Sequence, residues 1–337
     1  MTAVGRLPDL TGLRSLLADW RGRAGYLVEF VGRWAVPIGN NGDELLGRVF
    51  FRVLRELGIT LVRRPSEADV LLVRPGGALL DRYLAPAMLA RRLAQLPDLP
   101  LVIFPHSSWF ERDDPATMFA GRRSPTLWIS REQRSHDHLR GAWGESLARA
   151  RVTLVLDHDV AVSGHAYVPE VLQEAAGRLD GDDGLLLVAR MGVEAGHMDQ
   201  DRSIDRGTWL RRLAASGLRR LPHPALAAIR QRTTRDRQIA ANNRMLTAVT
   251  ERLETPLPAT MSPWCFDISD PTLTSVGRYA WAITGATAVV TDRLHVAVPA
   301  AILGKRTVFV EAGYHKASGV YEHSLRECEA VTFLRRA

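Results

Sequence analysis

The run VVTDRLHVAVPAAILGKRTVFVEAGYHK, Val289 to Lys316, sets an Arg-Leu-His triplet at the end of a short apolar stretch. Its flanks follow the pattern strand, turn, helix, turn, strand. Ala288-Val289-Val290 is short and β-branched, Val296 to Leu303 has helical periodicity, Gly304-Lys305 stops it, and Thr307 to Val310 is a second strand-like run. This is a βαβ unit. In open parallel sheets ligands sit off the carboxyl ends of the strands. Asp292, Arg293 and His295 fall at that edge, where a helix N-terminus favours anions. The triplet is placed to hold a negatively charged group.

Outward from this unit the same alternation recurs. Tyr26 to Val31 reads as a strand, Gly39 to Glu44 (GNNGDE) as a loop, and Leu45, Leu46, Val49, Phe50, Val53, Leu54 and Leu57 as one helix face. Thr60–Val62 and Asp69–Val73 are further strands, Arg74 to Asp81 (RPGGALLD) a turn, Arg82–Leu96 a helix and Leu101–Phe104 a buried strand. Strands Thr126–Ile129 and Val152–Asp157 follow, with helices near Glu132–Leu139 and Glu145–Ala150. A polar, Gly-rich interval, Gly177 to Gly184, precedes a fresh strand, Leu185–Val188. Arg-rich helical segments at about 206–218 and 235–253, a Pro-containing loop and a helix around Ser275–Ile283 lead into the quoted unit. The succession predicts an α/β fold of two Rossmann-like domains facing a cleft, residues 1–170 and 171–337, with the last helix packing back.

Length and composition agree with that division. At 337 residues the chain exceeds the size at which one core usually stops growing. Apolar and charged contents of 46% and 24% are those of an ordinary globular protein. The first 25 residues carry an amphipathic pattern (Leu10, Leu13, Leu16, Leu17, Trp20) broken by charges, unlike a signal peptide, and no stretch predicts a spanning helix. Cys265 and Cys328 form no CxxC pair, which fits a reducing cytoplasm. Of the 44 Lys and Arg residues only Lys305 and Lys316 are lysine, and the arginines are scattered, which leaves acidic small molecules or an anionic membrane surface as partners. Basic stripes interleaved with aromatics and zinc-finger spacings are both missing, so nucleic acid is not an expected partner.

Several strand ends carry candidate chemistry. In GNNGDE, Gly39 and Gly42 allow close approach of a ligand, Asn41 can cap, and Asp43 and Glu44 suit a helix N-terminus; an ordinary capped turn has the same signature. Gly76 and Gly77 offer the same choice after another strand, and His106 with Ser107 and Ser108 could position a hydroxylated acceptor or fill a loop. Asp157, His158 and Asp159 follow a strand, where a carboxylate serves as acid or base or caps the next segment. His136 and His138, at i, i+2, do not share a helix face, and no metal site is expected. Arg190 closes the strand of the second half. Together with Arg293, His295, Lys316 and the nearby Arg278 it suits a small substrate of two or three negative charges.

In this order, GNNGDE, ADVLLVRPGGALLD, LWISREQRS, LVLDHDVA, LLLVAR and above all VVTDRLHVAVPAAILGKRTVFVE followed by YHKASGVY resemble the polysaccharide pyruvyl transferase family, from about Gly39 to Tyr321. The resemblance implies a fold like the two-domain GT-B glycosyltransferases. It also implies transfer of the pyruvyl unit of phosphoenolpyruvate, a co-substrate with no further cofactor, onto two sugar hydroxyls as a cyclic ketal. Arg293 and His295, with the main chain of Leu294, would bind the donor, as would Arg190. His106 stands where the family often has Gln, on the acceptor side, which the resemblance assigns to residues 1–170. His295 is then the expected general acid and Asp43 or Asp157 the base. The arginines can neutralise the leaving phosphate. The acceptor would be a saccharide or lipid-linked oligosaccharide, met in the cytoplasm with peripheral contact at the inner membrane face. The competing reading is a GT-B-like glycosyltransferase with a nucleotide-sugar donor, for which Glu311 is the candidate ribose carboxylate; a non-catalytic relative is the third.

Overall fold

The computed structural model describes residues 7–29, 40–177, 184–190, 223–261, 266–271, 273–311 and 315–335, with backbone alone for 223–233. Gly39, Val31, Cys265 and the helical segment at 206–218 lie outside the described residues. The chain is α/β, with two sheets whose strands pair in parallel throughout.

The first sheet contains β1 (Ala24–Leu27), β2 (Thr60–Leu61), β3 (Val70–Val73), β4 (Gly76–Leu80), β5 (Leu101–Trp109), β6 (Thr126–Ser130) and β7 (Val152–Leu156), ordered β2-β1-β3-β5-β6-β7. The expected turn at Arg74–Asp81 is largely strand. β5 outruns β3, and β4 takes up the pairing, with Gly76 opposite His106 and Leu80 opposite Trp109. Pro75, which has no N–H for a ladder, separates the two pieces. The HSSW stretch, open between loop and site above, is accordingly strand, with His106, Ser107 and Ser108 buried.

The second sheet contains β8 (Leu185–Val188), β9 (Ala288–Thr291), β10 (Arg306–Val310) and β11 (Val331–Leu334), ordered β11-β10-β9-β8. β8 and β9 are buried along their whole length, as apolar runs covered on both faces must be.

Helices α1 (Thr11–Leu16), α2 (Asn41–Glu56), α3 (Ala85–Leu93), α4 (Gln133–Arg149), α5 (Val160–Ser163), α6 (Val168–Ala176), α7 (His223–Thr250), α8 (Val276–Gly285), α9 (Leu294–Ile302) and α10 (Lys316–Val320) complete the described elements with short 3₁₀ and π turns. α4 is one helix where two are expected, because Gly141 and Gly144 weaken the pattern without breaking the backbone. α2 buries Leu45, Leu46, Val49, Phe50, Val53 and Leu54, each contributing about 1.5–3 kcal/mol of burial.

That face does more than cover the first sheet. α2, α5 and α6 all touch α9, and α6 also packs on α8. Leu13, Val49 and Leu172 consequently share one apolar cluster with Val188, Val296 and Val320. Leu10, Leu13 and Leu17 belong to the same cluster, so the apolar face of the amphipathic start is used inside the protein. Among the described residues no helix is long and apolar enough to cross a membrane. This helical seam brings the carboxyl ends of the two sheets together.

Candidate functional site

His295 lies at the centre of that junction. It is in the first turn of α9, one residue after Leu294, which is buried at the helix start. The N-terminus of α2 approaches so closely that a Cβ on Gly42 would fall 2.4 Å from the His295 Cβ. Only glycine fits there. Asn40 caps α2 through a capping box with Asp43: its side chain accepts from the Asp43 N–H at 3.1 Å and Asp43 Oδ2 accepts from the Asn40 N–H at 3.0 Å. The cap is thus one residue earlier than expected. Asn41 is buried and its Nδ2 donates to the carbonyls of Ile268 and Thr274 at 2.7 and 2.8 Å, tying α2 to the second half. The geometry of the box leaves Asp43 Oδ1 3.8 Å from His295 Nδ1.

The other imidazole nitrogen faces two residues that the sequence reading did not single out for this place. His295 Nε2 is 3.6 Å from Asp159 Oδ2 and 3.4 Å from Arg131 Nη1. Arg131 follows β6 and is 2% exposed; its Nε donates to Ser107 Oγ at 2.8 Å and its Nη1 to Asp159 Oδ2 at 2.8 Å. Asp159 also accepts from the Ala161 N–H at the start of α5. Burial alone would raise the Asp159 pKa, but His295 and Arg131 beside it hold the carboxyl well below the usual range. The Tyr279 hydroxyl donates to the His295 carbonyl, fixing α8 against the same turn.

Gly76 and Gly77 form the floor on the other side. A Cβ on Gly77 would lie 2.8 Å from Arg131 Nη2 and 2.9 Å from Lys316 Nζ. Two cations, one from each half of the chain, therefore meet over one glycine. Lys316 Nζ also donates to the Gly77 carbonyl and lies 5.7 Å from the Tyr83 ring centre. His106 faces Gly76, with Nε2 3.3 Å from where a Cβ would be, and its Nδ1 is 3.0 Å from the Phe104 carbonyl. Burial, with Arg131 and Lys316 nearby, lowers its pKa to about 3, so it is neutral at physiological pH.

The remaining expected residues separate into two groups. Arg190 and Arg293 converge on Asp292: the Arg190 N–H donates to Asp292 Oδ1 at 2.7 Å, and both arginines oppose the upward pull of burial on the Asp292 pKa. The Arg293 side chain pairs with the buried Asp267. Asp157 and Arg278 have no described contact with His295. Asp157 is buried, with Oδ1 2.8 Å from where a Cβ on Gly12 would be, and burial raises its pKa to about 6; Arg278 is exposed on α8. For Arg131 the signal in the sequence is a polar residue directly beyond the apolar strand β6, the same logic that selects Arg190; Asp159 is the third residue beyond β7, within the Asp157-His158-Asp159 run, and caps α5.

Neither a protein-family model nor a curated protein matches the chain. Among solved structures, the fold is similar to that of a functionally uncharacterized protein of Klebsiella pneumoniae subsp. pneumoniae, with 16% identity, coverage of 96% of this chain and 97% of that one, and a TM-score of 0.53. The likeness is one of fold. A glycosyl transferase family 9 protein of Veillonella parvula aligns over 94% of this chain and 88% of its own, with 12% identity and a TM-score of 0.32, too low to bear on either fold or function.

Proposed function

We propose that this chain is a transferase that moves the pyruvyl unit of phosphoenolpyruvate onto two hydroxyls of a saccharide, forming a cyclic ketal and releasing phosphate. The observation that carries the anionic donor is the convergence of Arg131 Nη2 and Lys316 Nζ over Gly77. Arg131 keeps Asp159 as its ion-pair partner through Nη1, and phosphate or carboxylate oxygens accept charge-assisted bonds from guanidinium and ammonium groups alike. The sequence resemblance supplies the identity of that anion. Arg190 and Arg293 lie at the ends of β8 and β9, on the carboxyl edge of the second sheet beside Asp292 and Asp267, where the N-terminus of α9 also favours an anion.

In this reading His295 gives a proton to the methylene carbon of phosphoenolpyruvate, and the resulting oxocarbenium-like carbon is attacked by the first hydroxyl. Asp43, 3.8 Å from His295 Nδ1, restores the imidazole's proton or accepts one from the hydroxyl. Phosphate leaves as the second hydroxyl closes the ketal and carries away that hydroxyl's proton. Asp159 and Arg131 orient the imidazole from its other side. Asp159 thereby replaces Asp157, whose position beside Gly12 suits structure better than proton transfer. Neutral His106 faces the acceptor side. The two halves, with a division near residue 170, would act as the Rossmann-like pair of a GT-B-like architecture, in the cytoplasm where phosphoenolpyruvate is made. Incubation with phosphoenolpyruvate and a panel of saccharide acceptors, read by phosphate release and mass spectrometry of the product, tests the proposal. Phosphate release without a ketal-bearing sugar, or turnover of nucleotide sugars instead, would refute it.

A further inference from the structure

Where β8 ends, the chain leaves the ladder and its backbone groups need other partners. Two come from β9 and its continuation: Thr291 Oγ1 donates to the Val188 carbonyl at 2.8 Å and Asp292 accepts from the Arg190 N–H at 2.7 Å. The rest come from α7. Asn242 Oδ1 accepts from the Ala189 N–H at 3.1 Å, Gln238 Nε2 donates to the Ala189 carbonyl at 2.9 Å and to Asn242 Oδ1 at 3.2 Å, and Asn242 Nδ2 is 3.4 Å from the Leu187 carbonyl.

Gln238 and Asn242 are 1% and 4% exposed and stand one helical turn apart, on one face of α7. That face continues as Met245 and Val249, packed on Leu185, Leu187 and Val290. An aliphatic side chain would suit such surroundings better than an amide, and Gln238 Oε1 is buried with no donor among the described residues. What the amides provide, and leucine could not, is a grip on the peptide groups on either side of Ala189.

We propose that Gln238 and Asn242 are positioning residues, clamping the end of β8 so that Arg190 is held at the sheet edge for the anionic donor. The ligand in this statement rests on the pyruvyl transfer reading, whereas the clamp itself does not. The test combines calorimetric titration of the full-length protein with phosphoenolpyruvate and amide hydrogen exchange at residues 187–190. The proteins are wild type, Gln238→Met, Asn242→Leu, Arg190→Ala and Arg190→Ala/Gln238→Met. Gln238→Met keeps the volume and removes the donor. It should weaken binding about tenfold, and the double variant should bind no more weakly than Arg190→Ala alone, because the two act through one contact. Exchange at 187–190 should quicken in Gln238→Met and Asn242→Leu. Should Gln238→Met fail to fold, Gln238→Glu takes its place: only a protonated carboxyl can donate to the Ala189 carbonyl, so binding should recover as pH is lowered from about 8 to about 6. Wild-type affinity in Gln238→Met, additive losses in the double variant, or a Gln238→Glu profile without recovery would overturn the proposal. If the wild type does not bind phosphoenolpyruvate, the functional reading falls, and exchange alone decides the clamp: faster exchange upholds it and unchanged exchange refutes it.

Discussion

Replacing Arg131 by methionine should be among the most damaging single substitutions in this protein. Arg131 and Asp159 form an ion pair at 2.8 Å with side chains 2% and 1% exposed. Removal of the guanidinium leaves the Asp159 carboxylate buried with the Ala161 N–H and His295 as its remaining described partners, and breaking a buried pair from one side costs about 3–5 kcal/mol. Ser107 Oγ loses its donor as well. The lower end, about 3 kcal/mol, is the expectation at pH 7, since Ala161 still satisfies one oxygen. At about 2–4 °C per kcal/mol for a large domain, the thermal midpoint should fall by roughly 6–12 °C. The effect has a pH signature. Asp159 has a folded pKa below its unfolded value near 3.9, so its contribution is complete above that value and is lost as pH falls. The gap between wild type and Arg131→Met should therefore narrow below about pH 4. Urea titrations and thermal scans across pH measure both quantities. Adding Asp159→Asn should recover much of the loss, because the uncompensated charge is gone. A single variant within about 1 kcal/mol of wild type at pH 7, or a double variant no better than the single, would refute the view that this pair is a buried, mutually dependent unit.

Asp157→Asn should stabilise the protein at pH 7.5 by about 3 kcal/mol, since a carboxyl raised to about 6 by burial is costly to ionise in the folded state; the gain should fade as pH drops and vanish in thermal scans below about pH 3, where Asp157 is protonated in both states. Gly42→Ala should lower the urea midpoint and abolish turnover, because its Cβ meets the Cβ of His295 at 2.4 Å and that atom cannot swing away. Gly77→Ala sets its Cβ 2.8 Å from Arg131 Nη2, whose guanidinium Ser107 and Asp159 hold, and 2.9 Å from Lys316 Nζ, side-chain ends and not a Cβ, so it should lower the urea midpoint less than Gly42→Ala and raise the KM for phosphoenolpyruvate. His158 is stacked on His323 with ring centres 4.4 Å apart, and burial followed by His323 lowers its pKa to about 4. A depressed imidazole loses stability as pH falls below its unfolded value near 6.5, so His158→Gln should flatten the decline in thermal midpoint between about pH 6.5 and 4.

What the sequence showed well is what local chemistry determines. The βαβ unit from Ala288 to Val310, the apolar face of α2 and the strands β3, β6, β7 and β8 appear where periodicity puts them; β3, β8 and β9 are buried along their whole length and so read as uninterrupted apolar runs. The Gly76–Leu80 strand was hidden because Pro and a glycine pair are turn signals, and only the length of β5 gives this segment a partner. The cap at Asn40 in place of Asn41 is a shift of one residue between two identical side chains. His106-Ser107-Ser108 is open between loop and site in the sequence because hydroxyls and imidazoles rarely fill strands, yet here they extend β5 and are buried, with partners in Phe104, Arg131 and Ser135. The Arg131–Asp159 pair joins residues 28 positions apart, and His295 reaches Arg131 across 164. No spacing rule spans such distances; what remains legible is only that polar residues follow apolar strands.

The most direct test of the account is a calorimetric titration with phosphoenolpyruvate of wild type, Lys316→Ala and His295→Ala, with a nucleotide-sugar titration of the wild type beside it. Saturable binding of phosphoenolpyruvate that is lost in Lys316→Ala, retained in weakened form in His295→Ala and not matched by nucleotide sugars is the predicted result. Absence of binding at millimolar phosphoenolpyruvate, or equal binding in Lys316→Ala, would contradict the assignment of the site over Gly77 to this donor.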